Sequence, residues 1–162
     1  MKRLELIISG QVQGVGFRPF LYQLAQKNNL TGFVKNTPAG VRLQIQGTRA
    51  NLLRFLKALR TTAPPQGRIE GVAVTTLPVV KDETVFLISA SQIQGGAAAV
   101  LPPDLATCEQ CLQEIGDSGN RRYRYPFTNC TDCGPRFTIV QALPYDRHMT
   151  TMAGFHMCEA CS

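Results

Sequence analysis

The chain has no tryptophan, and its first 107 residues contain no cysteine. Its two histidines, His148 and His156, both lie in the last fifteen residues. The first half therefore holds no thiol or imidazole nucleophile and no ligand set of the Cys/His kind. Acids are scarce there too. Residues 1–91 contain only Glu5, Glu70, Asp82 and Glu83, so no carboxylate pair for general acid–base work is available. Long apolar runs are also missing. Stretches such as Val85–Ile88 and Ala97–Leu101 fall far short of the ~20 residues of a membrane span. Glu5 interrupts any apolar core of a secretory leader, which predicts a cytoplasmic protein with no membrane association. Apolar residues make up 44% and charged residues 17%, a balance that excludes wholesale disorder.

What is present is unevenly spread. Residues 1–91 carry 12 Lys/Arg against 4 Asp/Glu, a balance of +8. Residues 92–162 carry 5 against 7, a balance of −2. Between them run Gln94-Gly95-Gly96-Ala97-Ala98-Ala99 and Pro102-Pro103, a small-residue and proline stretch of linker type. At 162 residues the chain is long enough for one domain or two small ones. The expected organisation is a basic domain over 1–91, a linker over 92–103 and a cysteine-rich region over 104–162.

The basic half reads as alternating elements. Leu4, Leu6 and Ile8 show the period of a strand. Gly10, Gly14 and Gly16 punctuate a loop after it. Phe17, Phe20, Leu21, Leu24 and Ala25 then fall on one helical face, with Pro19 in the tolerated first turn. Residues 30–36 predict a second strand, and Thr37-Pro38-Ala39-Gly40 a tight turn. Val41, Leu43 and Ile45 mark a third strand. Thr48 caps a second helix with Leu52, Phe55, Leu56 and Leu59 on its stripe. Strands near 69–77 and 84–89 complete the half. The order β-α-β-β-α-β plus one strand predicts an α+β, ferredoxin-like sandwich.

The glycine loop has a chemical reading. Successive N–H groups of a glycine-rich turn converge on one point, and the helix that follows presents its positive N-terminus there. Gln13, Gly14, Val15, Gly16, Phe17 and Arg18 are thus candidate anion-binding residues, with the Arg18 guanidinium able to grip two phosphate oxygens. Asn36, at the end of the second strand, has donors and an acceptor with which to hold a water. With no metal ligand and no strong base, such a site suits an already activated substrate, and catalysis rests on positioning and charge stabilisation.

All six cysteines occur as three Cys-x-x-Cys knuckles: Cys108/Cys111, Cys130/Cys133 and Cys158/Cys161. Reduced thiols at this spacing predict metal ligation rather than disulfides, and four of them close a tetrahedral structural Zn²⁺ site. Cys108, Cys111, Cys130 and Cys133 form the contiguous set. The Cys158/Cys161 knuckle either starts a second, incomplete finger or pairs with an earlier knuckle. His156 is a possible substitute ligand. Arg121-Arg122-Tyr123-Arg124-Tyr125 interleaves bases with aromatics, as nucleic-acid strips do. The negative balance of this half speaks against nucleic acid as a partner.

Gly10–Arg18 resembles the first signature of the acylphosphatase family, and Gly32–Val41 resembles the second. That resemblance implies Arg18 as the phosphate-binding arginine and Asn36 as the residue that positions the attacking water. Leu101–Cys108, Arg121–Arg136 and Pro144–Arg147, together with Thr150–Cys158, look like the HypF-type carbamoyltransferases, maturation factors of [NiFe]-hydrogenases. The combined resemblance spans the chain. It implies hydrolysis of carbamoyl phosphate, or another acyl phosphate, in the first domain. ATP would serve only later domains that these residues do not include, and a HypE-type partner would receive the carbamoyl group from the full-length protein. Two other readings remain open at this level: a self-standing acylphosphatase of broad specificity, and a zinc-dependent module that binds protein or nucleic acid.

Overall fold

The computed structural model describes residues 1–92, 106–128, 130, 133, 134, 136–157 and 159. The first half contains β1 (Lys2–Gln11), α1 (Phe17–Lys27), β2 (Thr31–Thr37), β3 (Gly40–Gly47), α2 (Arg49–Thr61), β4 (Arg68–Leu77) and β5 (Phe86–Ile88). Each matches an element expected from the residue periods.

The strands form one mixed sheet in the order β4-β1-β3-β2-β5. All neighbours are antiparallel except β2 and β5, which run parallel. The register places Leu6 opposite Leu43 and Ile8 opposite Val41. Because side chains alternate along a strand, this pairing turns a whole apolar row toward one face. Leu6, Ile8, Val34, Val41, Leu43 and Ile45 are all fully buried there. Phe17, Leu21 and Ala25 of α1 and Leu52, Phe55 and Leu59 of α2 cover that row. The helices therefore share one face of the sheet.

The opposite face is polar and is closed by a strap. β4 and β5 lie on opposite edges, so the chain between them must cross the sheet. Gln46 pairs with the Val80 backbone in both directions, at 2.8 and 2.9 Å. Arg3 is only 4% exposed beneath this strap and meets Glu83 at 2.7 Å.

The cysteine-rich half is built differently. α3 (Glu109–Gly116) starts directly after Cys108, an element the sequence reading did not anticipate. Beyond it come turns, three short 3-10 segments and one bridge between Val140 and Thr150. Among the described residues only Cys111, Cys133 and Met152 are buried apolar side chains in this half. Apart from Gln92, the expected linker (92–103) lies outside the described residues, as do the first two residues of the third region, 104 and 105.

Candidate anion site and cysteine cluster

The loop between β1 and α1 sits at the end of the sheet beside the start of α1. Gly14 and Gly16 take positive φ of 74° and 71°. An L side chain would strain this left-handed backbone, so glycine is required at both places. Gly16 caps α1 without a side-chain acceptor, and Pro19 has no N–H. The first-turn donors left for an outside anion are those of Phe17 and Arg18.

Arg18 and Asn36 come together as the sequence reading expected. The amide oxygen of Asn36 accepts from both Nε and Nη2 of Arg18, each at 3.2 Å, in the orientation that satisfies both groups. Asn36 is 2% exposed at the end of β2. Arg18 Nη1 also donates to Ser91 Oγ at 3.2 Å. Ser91 reaches this point because the chain after β5 continues beside β2, through Ser89 N to Val34 O and Gln92 N to Asn36 O.

Gln13 plays a different part from a simple anion contact. Its Nε2 donates to the Thr37 and Gly40 carbonyls at 2.8 and 3.0 Å, tying the loop to the β2–β3 turn. Val15 is fully buried, its side chain packed in the core.

A cavity of about 260 Å³ opens here, lined by Val12, Gln13, Gly14, Gly16, Phe17, Arg18, Pro19 and Asn36. Tyr145, Asp146 and Arg147 of the cysteine-rich half complete its wall. Asp146 Oδ1 lies 2.7 Å from Arg18 Nη2, and Tyr145 N donates to Gln13 Oε1 at 3.3 Å. Sequence reasoning missed Ser91 and Asp146. They are 73 and 128 positions from Arg18, and no local pattern links them.

The contiguous cysteine set also converges. Cys108, Cys111, Cys130 and Cys133 have all their sulfurs within 4.8 Å of one another. Cys108–Cys130, Cys130–Cys133 and Cys111–Cys133 stand at 3.5, 3.8 and 3.9 Å. A tetrahedron with Zn–S bonds of about 2.3 Å has edges of about 3.8 Å, so the sulfurs fit a zinc ion. Burial pushes the Cys111 thiol up, as do hydrogen bonds with its three neighbours. Burial acts to raise Cys133 as well. Backbone and thiol donors of Cys130, Cys108 and Cys111 outweigh that and bring it down to about 6. Arg136 Nη2 reaches Cys133 Sγ at 3.3 Å, a cation beside a site that carries −2 when four thiolates bind Zn²⁺.

Cys158 and Cys161 lie outside the described residues. His156 is exposed, and the cluster among the described residues contains only cysteine. The basic-aromatic strip is tied internally: Arg122 pairs with Glu114, Arg124 stacks 5.5 Å from the Tyr123 ring, and Tyr125 packs edge-on to Phe127. No helix among the described residues is long and apolar enough to cross a membrane.

A βαββαβ sheet with a glycine loop, one arginine and one asparagine lining a single cavity is an acylphosphatase-like architecture. Residues 4–88 match the family model described as Acylphosphatase, and the chain belongs to that family. A solved acylphosphatase from Bacillus subtilis superposes with a TM-score of 0.52 at 32% identity, covering 55% of this chain and 99% of its own. Residues 107–140 match the model of the HypF finger. Over nearly its whole length the chain is homologous to HypF carbamoyltransferases. It is 48% identical over 155 residues to that of Synechocystis sp., covering 96% of this chain and 20% of the relative. The full-length HypF structure in its phosphate- and nucleotide-bound form matches with a TM-score of 0.90 at 42% identity, over 99% of this chain and 21% of that one. The chain thus spans about a fifth of the length of the curated relatives it matches.

Proposed function

We infer that the first half hydrolyses carbamoyl phosphate, the acyl phosphate that opens a HypF-type carbamoyl transfer. The observation that carries this reading is the convergence of Arg18 and Asn36 on the loop of 13–17 in a chain homologous to HypF. Arg18 and the backbone N–H groups bind the phosphoryl oxygens. The Asn36 NH₂ holds a water in line with the scissile P–O bond. The water oxygen bonds to phosphorus, the bond to the carbamoyl oxygen breaks, and carbamate leaves. The water's proton passes to a phosphate oxygen or to bulk water. Carbamate is a weak base, so its departure needs no acid, which suits a site with no histidine. Catalysis comes from orientation and from donors preset around the developing charge.

The four cysteines hold a structural zinc ion. With so little apolar burial in its half, metal binding supplies much of the folding free energy, ~10–16 kcal/mol for comparable sites. The bound ion supplies cross-linking and no open coordination position. In the longer relatives' context, the released carbamate would pass to ATP-dependent steps and then to a HypE-type partner, neither of which these residues carry out. The proposed division places the first domain at 1–91, the linker at 92–103 and the zinc-finger region at 104–162.

Phosphate release from carbamoyl phosphate, followed with the wild-type chain and with Arg18→Ala, tests the reading. Turnover that falls by at least ~10³-fold in the variant is expected, because one group binds substrate and stabilises transition-state charge. Wild-type turnover in Arg18→Ala would sink the assignment.

A further inference from the structure

The wall opposite the glycine loop comes from the cysteine-rich half, and it carries a carboxylate. Asp146 Oδ1 sits 2.7 Å from Arg18 Nη2 inside the cavity. The side chain is 15% exposed and its placement is fixed at both flanks. Tyr145 N donates to Gln13, and Met149 N donates to the Asp146 carbonyl at 2.9 Å. A negative group beside the cation that must grip a phosphoryl group is costly to binding unless it serves another part of the ligand. The self-standing acylphosphatase from Bacillus subtilis, matched over 99% of its own length by 55% of this chain, is too short to carry such a wall.

We propose that Asp146 is the specificity-determining residue for the acyl group, accepting a hydrogen bond from the NH₂ of a carbamoyl phosphate. The proposal rests on the acyl phosphate reading above. The wall of 145–147 lines the same cavity as the loop and Arg18, so it lies within reach of the acyl end of a ligand whose phosphoryl group sits on the loop. A carbamoyl NH₂ gives the carboxylate a donor, and the resulting charge-assisted bond is of the stronger kind. An acetyl methyl gives it none and leaves the carboxylate with Arg18 alone. The same residue thus attracts one substrate and rejects the other.

The test compares kcat/KM for carbamoyl phosphate and acetyl phosphate in the full 162-residue chain. Asp146→Ala is expected to lower the carbamoyl-to-acetyl ratio roughly 10–100-fold, the range for losing a hydrogen bond to a charged group. Asp146→Asn keeps an acceptor of the same shape and lowers it less. A ratio unchanged in both variants overturns the proposal. If both substrates speed up equally, the carboxylate is only a plug on Arg18. If both slow equally, it only orients Arg18. Either result also overturns the proposal. If the wild-type chain turns over neither substrate, the acyl phosphate reading itself falls, an outcome distinct from an unchanged ratio.

Discussion

The backbone N–H of Tyr145 donates to Oε1 of Gln13, a residue 132 positions earlier in the chain. The other end of the same amide holds the Thr37 and Gly40 carbonyls. One buried side chain therefore joins the anion loop, the β2–β3 turn and the cysteine-rich half.

Replacing Gln13 by Ala removes its bonds to the Thr37 carbonyl and the Tyr145 N–H, and one of the two donors to the Gly40 carbonyl, which keeps the Thr37 hydroxyl. The expected loss is about 1–3 kcal/mol of unfolding free energy, the usual cost of leaving such groups unpaired. Urea unfolding monitored by circular dichroism reads it. A midpoint equal to that of the wild type would show that water replaces the amide at no cost.

Asn36→Ala removes the proposed water-holding amide. It leaves the loop N–H groups and the Arg18 charge in place. A fall in kcat of about 10²–10³-fold is expected, with inorganic phosphate binding changed far less. Titration calorimetry with phosphate beside steady-state rates separates the two effects. An equal loss in both would make Asn36 a support for Arg18 alone.

The cysteine cluster predicts one zinc ion per chain, measurable by elemental analysis. Cys111→Ser abolishes stoichiometric binding, and Cys158→Ser leaves it unchanged. Thiols must lose protons to ligate, so zinc is held at neutral pH and released as acid returns protons to the four sulfurs. Zinc retention that stays flat from neutral pH down to pH 4 would contradict the assignment. Chelation is expected to melt the half around α3 and leave the sheet folded.

Glu5 predicts a specific acid limb. Burial acts to raise its carboxyl, but hydrogen bonds from Gln44 and Arg42, both 2.7 Å, and the Arg42 charge hold it below its ordinary 4.5. A depressed folded value means the contribution is present above 4.5 and is lost as pH falls through the folded value. Glu5→Gln should flatten the stability profile in that window and leave its slope near neutrality unchanged. Denaturant midpoints measured across pH 2–7 give the comparison.

Much of the first half was legible from local patterns. The apolar alternation of Leu6 and Ile8 and the helical stripe of Leu52, Phe55 and Leu59 each depend on neighbours a few residues away. The same is true of Thr48, whose Oγ1 accepts from Asn51 N at 3.2 Å. α3 was not legible. Its eight residues bury only Cys111, too little for an apolar stripe to show.

The anion site divides along the same line. Glycine spacing and the position of Arg18 after it determined a cradle, because backbone curvature is a local property. Cys-x-x-Cys spacing likewise determined a four-sulfur site. The partners of Arg18 were decided only by tertiary structure. Ser91 arrives because β5 runs parallel to β2, and Asp146 arrives because the cysteine-rich half closes over the loop. Such contacts depend on how sheet order and docking bring distant segments together, and no periodicity in the sequence encodes that geometry.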